Sequence, residues 1–279
     1  MGPPPYSDIG KAARDVLRKN FEFGMRFLSY KGKEGNYEYT GRIDNAFRYK
    51  NMYGSFESTL FFNKYAVEIK EKWNSKGSIS AEVSTKNQLI EGLTHKIRTL
   101  YDINTKKTKV NMKSEYVGDY VNYEVILNCR PLIPDYGLSL VARYQDYLVG
   151  ISMGYKVNKE KLEPVDVAFA YSISDFGFHG VITDWARTFT AGVYQRLSNT
   201  LEYAAETTWN RNDSTHTWAI GCQYALDSRK RNLVKLKLDS CQRVSISLKN
   251  QLKEGVNFCV CGLFNDAEET QVGFGVEIE

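Results

Sequence analysis

From about residue 24 to its end, the sequence alternates between apolar and polar residues with a period of two. The final stretch, TQVGFGVEIE, shows this pattern most clearly. Every second position there is apolar, at Val272, Phe274, Val276 and Ile278, and Gln, Gly and Glu residues stand between them. Such alternation is typical of a β-strand with one apolar and one polar face. A chain that repeats it over most of its length must fold mainly as β-sheet.

The alternating segments predict nineteen strands. Most are about 9–11 residues long, which is the length that a tilted strand needs to cross a bilayer. Proline removes a ladder hydrogen bond, so we expect none inside a strand; Pro131 and Pro134 should lie in the longest loop, and Pro164 should start a strand. The predicted strands are 25–31, 37–46, 51–62, 64–73, 77–85, 91–101, 108–117, 119–128, 136–145, 147–156, 164–173, 175–183, 187–196, 199–208, 216–226, 231–239, 242–250, 254–264 and 270–278.

Short turns between consecutive strands predict an up-and-down antiparallel meander. A sheet of this length curls or closes, and closure removes its unpaired edges. A barrel of about nineteen strands is too wide for side chains to fill, so its lumen holds water. The polar row of each strand then faces the lumen, and the apolar row faces lipid. The predicted fold class is therefore an all-β transmembrane barrel.

One segment before the strands has a helical period instead. Its apolar residues recur at Ile9, Ala12, Ala13, Val16 and Leu17, with charged residues on the other side. Ser7 or Asp8 is the predicted cap. Such a short helix is marginal in water and needs a surface. It either packs on its own protein, or lies inside a wide cavity or at a membrane. We therefore divide the chain into an N-terminal segment, 1–24, and a barrel, 25–279.

Composition argues against several other classes of protein. Hydrophobic residues make up 42% and no apolar run reaches the roughly 18 residues of a transmembrane helix. The formal charge of +4 is spread along the chain, so no nucleic-acid footprint is expected. Five cysteines do not form an even disulfide framework, and three scattered histidines do not complete a zinc site. No catalytic motif stands out, so we expect no enzyme activity, no metal and no cofactor.

Several stretches resemble a known family. These are PPYSDIGKAARDVLRKNFEFG (4–24), EKWNSKG (71–77), GVYQRLSNTLEYAAETTW (192–209), LKEG (252–255) and QVGFGVEI (271–278). Together they resemble the mitochondrial voltage-dependent anion channel, the eukaryotic porin. The resemblance implies a nineteen-stranded barrel in the mitochondrial outer membrane, with the N-terminal helix inside the pore and the first and last strands, 25–31 and 270–278, paired in parallel.

The resemblance also implies a function and partners. The function is voltage-gated diffusion of small ions and metabolites such as ATP, ADP and phosphate. The implied partners are the lipid bilayer, mitochondrial surface proteins (kinases, apoptosis regulators and tubulin) and a second copy of the chain, with no nucleic acid. The last strand resembles the signal that the outer-membrane assembly machinery reads, which would be carried here by Gln271, Gly273, Val276 and Ile278.

The chain departs from the family pattern at several places. The glycine-rich linker of the family is Asn20–Phe21–Glu22–Phe23–Gly24 here, with one glycine left. A Gly-Leu-Lys stretch associated with nucleotides appears as Gly92-Leu93-Thr94, so its lysine is missing. Ion preference is therefore open, and a second hypothesis stays beside the channel: a diverged porin-fold protein that docks or scaffolds partners at the mitochondrial surface.

Selectivity in a pore comes from lumen charge and width. Alternation places a set of bases on the inner face, and the helix adds four more. The predicted lumen residues are Lys11, Arg14, Arg18, Lys19, Lys96, Arg98, Lys109, Lys113, Lys235, Lys237, Arg243 and Lys249. Acidic residues offset them, so a weak anion preference is expected.

One carboxyl group is predicted on the lipid side. In AVEIKEKW, Glu71 shares a face with Ile69 and Trp73, whereas Glu68 and Lys70 share the other. An ionisable group facing hydrocarbon is costly, and such groups are usually functional. The resembled family has a membrane-facing glutamate in the same stretch, implicated in gating. The alternative is that Glu71 lies near the strand end and reaches the headgroups.

Overall fold

The computed structural model describes residues 2–48, 52–88, 90–130, 133–265 and 270–279. Its helices are α1 at Lys11–Arg18 and 3-10 turns at Tyr6–Asp8, Asn63–Tyr65 and Val157–Lys159. Its strands are β1 Met25–Glu34, β2 Tyr37–Ala46, β3 Met52–Phe62, β4 Val67–Asn74, β5 Ser78–Lys86, β6 Leu93–Asp102, β7 Lys107–Val117, β8 Val121–Arg130, β9 Ile133–Tyr144, β10 Tyr147–Lys156, β11 Lys161–Leu162, β12 Asp166–Ile173, β13 Phe176–Thr183, β14 Thr188–Arg196, β15 Leu201–Asn210, β16 Thr215–Ala225, β17 Leu233–Asp239, β18 Val244–Lys253, β19 Val256–Phe264 and β20 Gln271–Ile278.

The strands form a closed barrel. Within the described residues they belong to one 20-stranded sheet, and neighbours along the chain pair antiparallel, as β14 does with β15 and β18 does with β19. The first and last strands pair in parallel, from Arg26 opposite Phe274 to Tyr30 opposite Ile278. Because β11 has only two residues, the wall consists of the nineteen longer strands of the described chain. The predicted fold class is confirmed.

Several local predictions were wrong, among them Pro164, which precedes β12 by two residues rather than starting it. Pro134 lies in β9, opposite Cys129, rather than in a loop; it is the second residue of that strand, where a missing N–H is tolerated. Pro131 and Asn51, the first residue of a predicted strand, lie outside the described residues. The short β11 was missed because two residues show no period. The helix is not capped by Ser7 or Asp8: it begins after Gly10, whose backbone is left-handed, and Ser7 and Asp8 belong to the 3-10 turn.

The chain divides into two compact units. The first comprises Met1–Ser7, Lys31–Arg42 and Tyr53–Val167, and the second comprises Asp8–Tyr30, Ile43–Met52 and Ala168–Glu279. In the first unit, the buried Asn122 donates a hydrogen bond of 3.1 Å to the carbonyl oxygen of Pro3. Burial, reinforced by the Asp166 carboxylate, raises the pKa of Tyr6 to about 12. These contacts fasten the first residues of the chain to this unit.

In the second unit, the two faces of the sheet differ sharply. On β17, Leu236 and Leu238 of one face are 44% and 42% exposed, whereas Lys235 of the other face is 2% exposed. The exposed apolar row is the outer face. The inner face is polar, and much of it is buried because α1 lies on it. The core of this unit therefore sits between the helix and the inner wall, not inside the sheet.

Candidate functional site: the helix on the inner wall

The apolar stripe of α1 packs on the inner face of β14, β15 and β16. Ala13, Val16 and Leu17 are buried and form a cluster with Ala204 of β15. A Cβ on Gly221 would lie 3.0 Å from Leu17, so glycine at this position leaves room for the leucine. Burying an aliphatic side chain fully contributes about 1.5–3 kcal/mol. A few such residues are enough to hold the helix in place.

Lys235 of β17 holds the C-terminal end of the helix. Its Nζ donates hydrogen bonds to the carbonyl oxygens of Asp15, at 2.7 Å, and Lys19, at 3.2 Å. The last carbonyls of a helix have no partner within the helix, and a cation near them is favoured by the helix dipole. The hydroxyl of Ser247 donates to the carbonyl oxygen of Asn20 at 2.6 Å. Lys235 is on the inner face, as predicted from alternation, but its charge lies under the helix rather than in open lumen.

A histidine and a glutamate on the wall face the helix. His179 is opposite Gly192, which is opposite Glu206, so the three lie in one row across β13, β14 and β15. The His179 ring lies over Gly192 and against Gly10, and a Cβ at either glycine would collide with it. His179 Nε2 is 3.9 Å from Glu206 Oε2, and Arg18 of α1 binds Oε1 of the same carboxylate. The wall thus contacts both ends of the helix.

Sequence reasoning did not single out His179 or Glu206. The histidines looked scattered, because the row that joins His179 to Glu206 exists only once the strand register is known. The one signal available in the sequence was a histidine in the polar row of a predicted strand.

Several predicted lumen bases form ion pairs. Lys113 is 2.5 Å from Glu124, and Lys249 is 2.6 Å from Glu277. Lys11 is 3.1 Å from Asp8. Arg14 donates instead to the carbonyl oxygen of Ile9, at 2.7 Å. These contacts reduce the field that the inner face presents to an ion.

Arg243 corrects a predicted boundary. The strand predicted at 242–250 begins at Val244, and Arg243 lies in the turn before it. An Asp239 oxygen accepts the backbone N–H groups of Cys241 and Arg243, which shapes this turn. Arg243 Nη2 is 3.0 Å from the same carboxylate.

Five predicted lumen bases differ from the rest. In the part of the chain that the structure describes, neither an ion pair nor a side-chain hydrogen bond is seen for Lys19, Lys96, Arg98, Lys109 or Lys237, whereas Lys235 is bound to carbonyl oxygens. Lys96 is directly opposite Lys113 across β6 and β7, which places two like charges side by side. Lys109 lines a cavity of ≈ 500 Å³ in the first unit.

The sequence profile of the family described as Eukaryotic porin matches residues 2–275. The chain belongs to the eukaryotic porin family. This porin is 27% identical to the frog (Xenopus laevis) protein named non-selective voltage-gated ion channel VDAC2, over 99% of each chain. It is 27% identical to the Drosophila melanogaster voltage-dependent anion-selective channel over 100% of each, and 25% identical to human VDAC1 over 99% of each.

Solved structures support the fold of this porin. A triple mutant of the Rhodopseudomonas blastica porin matches with a TM-score of 0.52 at 11% identity, covering 92% of this chain and 96% of that one. At this identity the likeness concerns the fold alone. Among the described residues, no helix is both long and apolar enough to cross a membrane.

The porin places Glu71 among exposed apolar side chains. Glu71 pairs with Ser58 and Ala81, and its row includes Ile69 and the half-exposed Trp73. The opposite row is charged, since the Glu57 carboxylate is 2.7 Å from Lys70 and 3.6 Å from Lys72. The lipid-facing orientation of Glu71 and its role stay predictions.

The two glycines of the last strand face inward. A Cβ on Gly273 would collide with the carbonyl oxygen of Glu22, and a Cβ on Gly275 would collide with the ring of Phe27. They are therefore needed where the linker and β1 lie against β20. Val276 pairs with Leu28, and Ile278 pairs with Tyr30. Whether Gln271, Gly273, Val276 and Ile278 are read as an assembly signal stays a prediction.

Proposed function

We propose that this porin is a water-filled, voltage-gated diffusion channel of the mitochondrial outer membrane. It passes small ions and metabolites such as ATP, ADP and phosphate with weak selectivity. The observation that carries the proposal is α1 docked on the polar inner face by a small apolar cluster and a few hydrogen bonds. A barrel of this strand number encloses an aqueous channel, so the helix lies beside the path of the solute.

The charges of the helix support voltage gating. Lys11, Arg14, Arg18 and Lys19 outnumber Asp8 and Asp15, so the segment is positively charged. Moving one elementary charge through the membrane potential changes the energy by about 2.3 kcal/mol per 100 mV. That is comparable with the contribution of one buried side chain of the helix, about 1.5–3 kcal/mol. A potential of this size can shift the balance between docked and undocked helix.

Weak selectivity is supported by the ion pairs. Lys113, Lys249 and Arg243 each face a carboxylate, and Lys235 is buried under the helix. The five bases with neither an ion pair nor a side-chain hydrogen bond among the described residues leave a modest positive field. The names of the relatives, non-selective in one case and anion-selective in another, are compatible with a field near balance.

Single-channel recording in planar bilayers tests the proposal. We expect a steady conductance at low voltage and a lower conductance as the voltage rises. A barrel that is assembled by circular dichroism but carries no current would support the docking or scaffold hypothesis instead. Release of the protein by carbonate would contradict a place in the membrane.

The partners implied by resemblance belong to the same proposal. They are kinases, apoptosis regulators and tubulin at the mitochondrial surface, and a second copy of the chain. Co-sedimentation of each purified protein with proteoliposomes tests the first group, and cross-linking in liposomes tests the homo-oligomer. Binding equal to that of empty liposomes would remove a partner from the list.

A further inference from the structure

An arginine stands in the outer row of β1. Arg26 pairs with Phe274 and shares its face of the strand with Leu28, which is 47% exposed, whereas Phe27 on the opposite face is buried. Phe274 is 42% exposed in the outer row of β20. A guanidinium group among lipid-facing side chains is costly unless it reaches water or an anion. We therefore expect the guanidinium of Arg26 to contact water or an anion.

The strand ends show that Arg26 lies at the rim of the barrel. Met25 is the first residue of β1, Ala46 the last of β2, and Gln271 the first of β20. Gly24, just before β1, links these strand ends: its N–H donates to the carbonyl oxygen of Val272 in β20, and its carbonyl oxygen accepts the N–H of Phe47, just after β2. Rims of membrane barrels lie at the level of the lipid headgroups.

An apolar platform adjoins the arginine. Phe47 and Phe274 have ring centroids 5.7 Å apart, and Phe47 and Val272 are 49% and 47% exposed. A crevice of ≈ 460 Å³ opens beside Phe47 and Val272 and is lined also by Arg48 and Gln271, whereas Arg26 and Phe274 lie next to it rather than in its lining. The site thus offers exposed aromatic and aliphatic surface next to two arginines.

Arg26 is hydrogen-bonded to its neighbour on β2. Its Nε donates to Asn45 Oδ1 at 3.2 Å, and this bond does not use the two Nη groups of the guanidinium. A guanidinium binds phosphate through two parallel N–H groups, a geometry that lysine lacks.

We infer that the rim surface at the β1–β20 seam binds an anionic phospholipid, with the phosphate at Arg26 and an acyl chain on Phe47, Phe274 and Val272. The positive charge of the arginine favours an anionic headgroup. The apolar platform favours a lipid, which has acyl chains, rather than free inorganic phosphate. The inference requires the barrel to lie in a membrane, but it does not require the channel to be gated or selective.

Native mass spectrometry of the full chain tests this. The protein is released from vesicles that contain equal amounts of phosphatidylglycerol and phosphatidylcholine, and retained lipids are counted. We expect about fivefold enrichment of phosphatidylglycerol, the order that one arginine near an anionic surface supplies. Arg26→Gln should bring the ratio close to one. Arg229→Gln is the matched control, since it removes an exposed arginine from a loop far along the chain, and it should keep the enrichment.

Two further measurements show whether the site binds a whole lipid or only a phosphate group. Phe47→Ala keeps both arginines and should reduce the total lipid retained. Inorganic phosphate at matched ionic strength should not displace the lipid; complete displacement would show a phosphate site and overturn the proposal. Equal ratios in wild type and Arg26→Gln would also overturn it.

If Arg26→Gln fails to assemble, Asn45→Ala removes only the orienting bond and should lower the enrichment. An unchanged ratio in that variant would then count against the site. Conductance recorded on the same samples keeps this result separate from the channel proposal.

Discussion

At the scale of the residue, two inner lysines two positions apart have different surroundings. Lys235 is bound to two carbonyl oxygens at the end of α1, whereas Lys237 has no ion pair among the described residues. Alternation placed both on the inner face but could not separate them. The partner carbonyl of Asp15 is 220 positions away in the chain, and only the docked helix brings it close.

Lys235→Met should therefore alter gating and stability. Removing this buried charged donor takes a hydrogen bond from the carbonyl oxygens of Asp15 and Lys19, and losing a partner of a buried polar group costs about 1–3 kcal/mol. We expect a lower unfolding temperature and helix release at lower voltage. Lys237→Met is the control: it should shift the reversal potential and leave gating almost unchanged. A Lys235→Met channel that gates and melts like wild type would contradict this role.

Glu71 is tested by its reactivity from the lipid side. Hydrophobic carbodiimides reach carboxyls that face hydrocarbon, so they should modify Glu71 in the assembled barrel. Glu71→Gln should abolish the labelling, and Glu68→Gln, a change in the opposite row, should preserve it. Mass spectrometry of peptides gives the labelled residue. Modification mainly at Glu68 would mean that the two faces of β4 are reversed.

At the scale of the element, α1 is positioned by glycines that make room for larger groups. Gly192 leaves space for the His179 ring, on which Gly10 rests. Strand positions could be predicted because each strand shows its period by itself. The position at which the helix packs on the wall could not be predicted, because it depends on the register of three strands at once.

Gly192→Ala should weaken the packing of α1 on the inner wall. The added methyl collides with the His179 ring, and such overpacking costs about 1–3 kcal/mol. Limited proteolysis should then cut earlier within residues 10–20, and the unfolding temperature should fall. Gly180→Ala is a close control, since a Cβ there has no atom within 4 Å. Equal behaviour of the two variants would argue that His179 does not seat the helix.

The linker gives a second test at this scale. Asn20 has a positive φ of 69°, and Ser247 binds its carbonyl oxygen. Glycine adopts that backbone freely and adds mobility. Asn20→Gly with Glu22→Gly should therefore steepen voltage gating, while the Ser247 bond can still form. An unchanged slope would show that helix motion through this linker is not the switch.

At the scale of the whole molecule, selectivity depends on the sum of the lumen charges. The sequence predicted which bases lie on inner rows, but not which are neutralised, because Lys113–Glu124 and Lys249–Glu277 pair across strands. The five lumen bases that have neither an ion pair nor a side-chain hydrogen bond among the described residues predict a weak anion preference.

A reversal potential measured in a potassium chloride gradient gives the sign. We expect a small potential toward the chloride equilibrium value, which should approach zero when Lys96 and Lys109 are both replaced by Gln. A clear cation preference of the wild type would show that acidic groups dominate the field.

The parallel seam also constrains the order of folding. Arg26 meets Phe274, residues from opposite ends of the barrel sequence, so the ring can close only after the last strand has been made. Until then two strand edges stay open, and open edges recruit other chains. The entropic cost of closing a loop grows only slowly with its length, so closure of the barrel is not prevented by free energy. The difficulty is the time for which the two unpaired strand edges stay exposed. A nascent barrel of this kind therefore needs shielding along its edges until its final strand arrives.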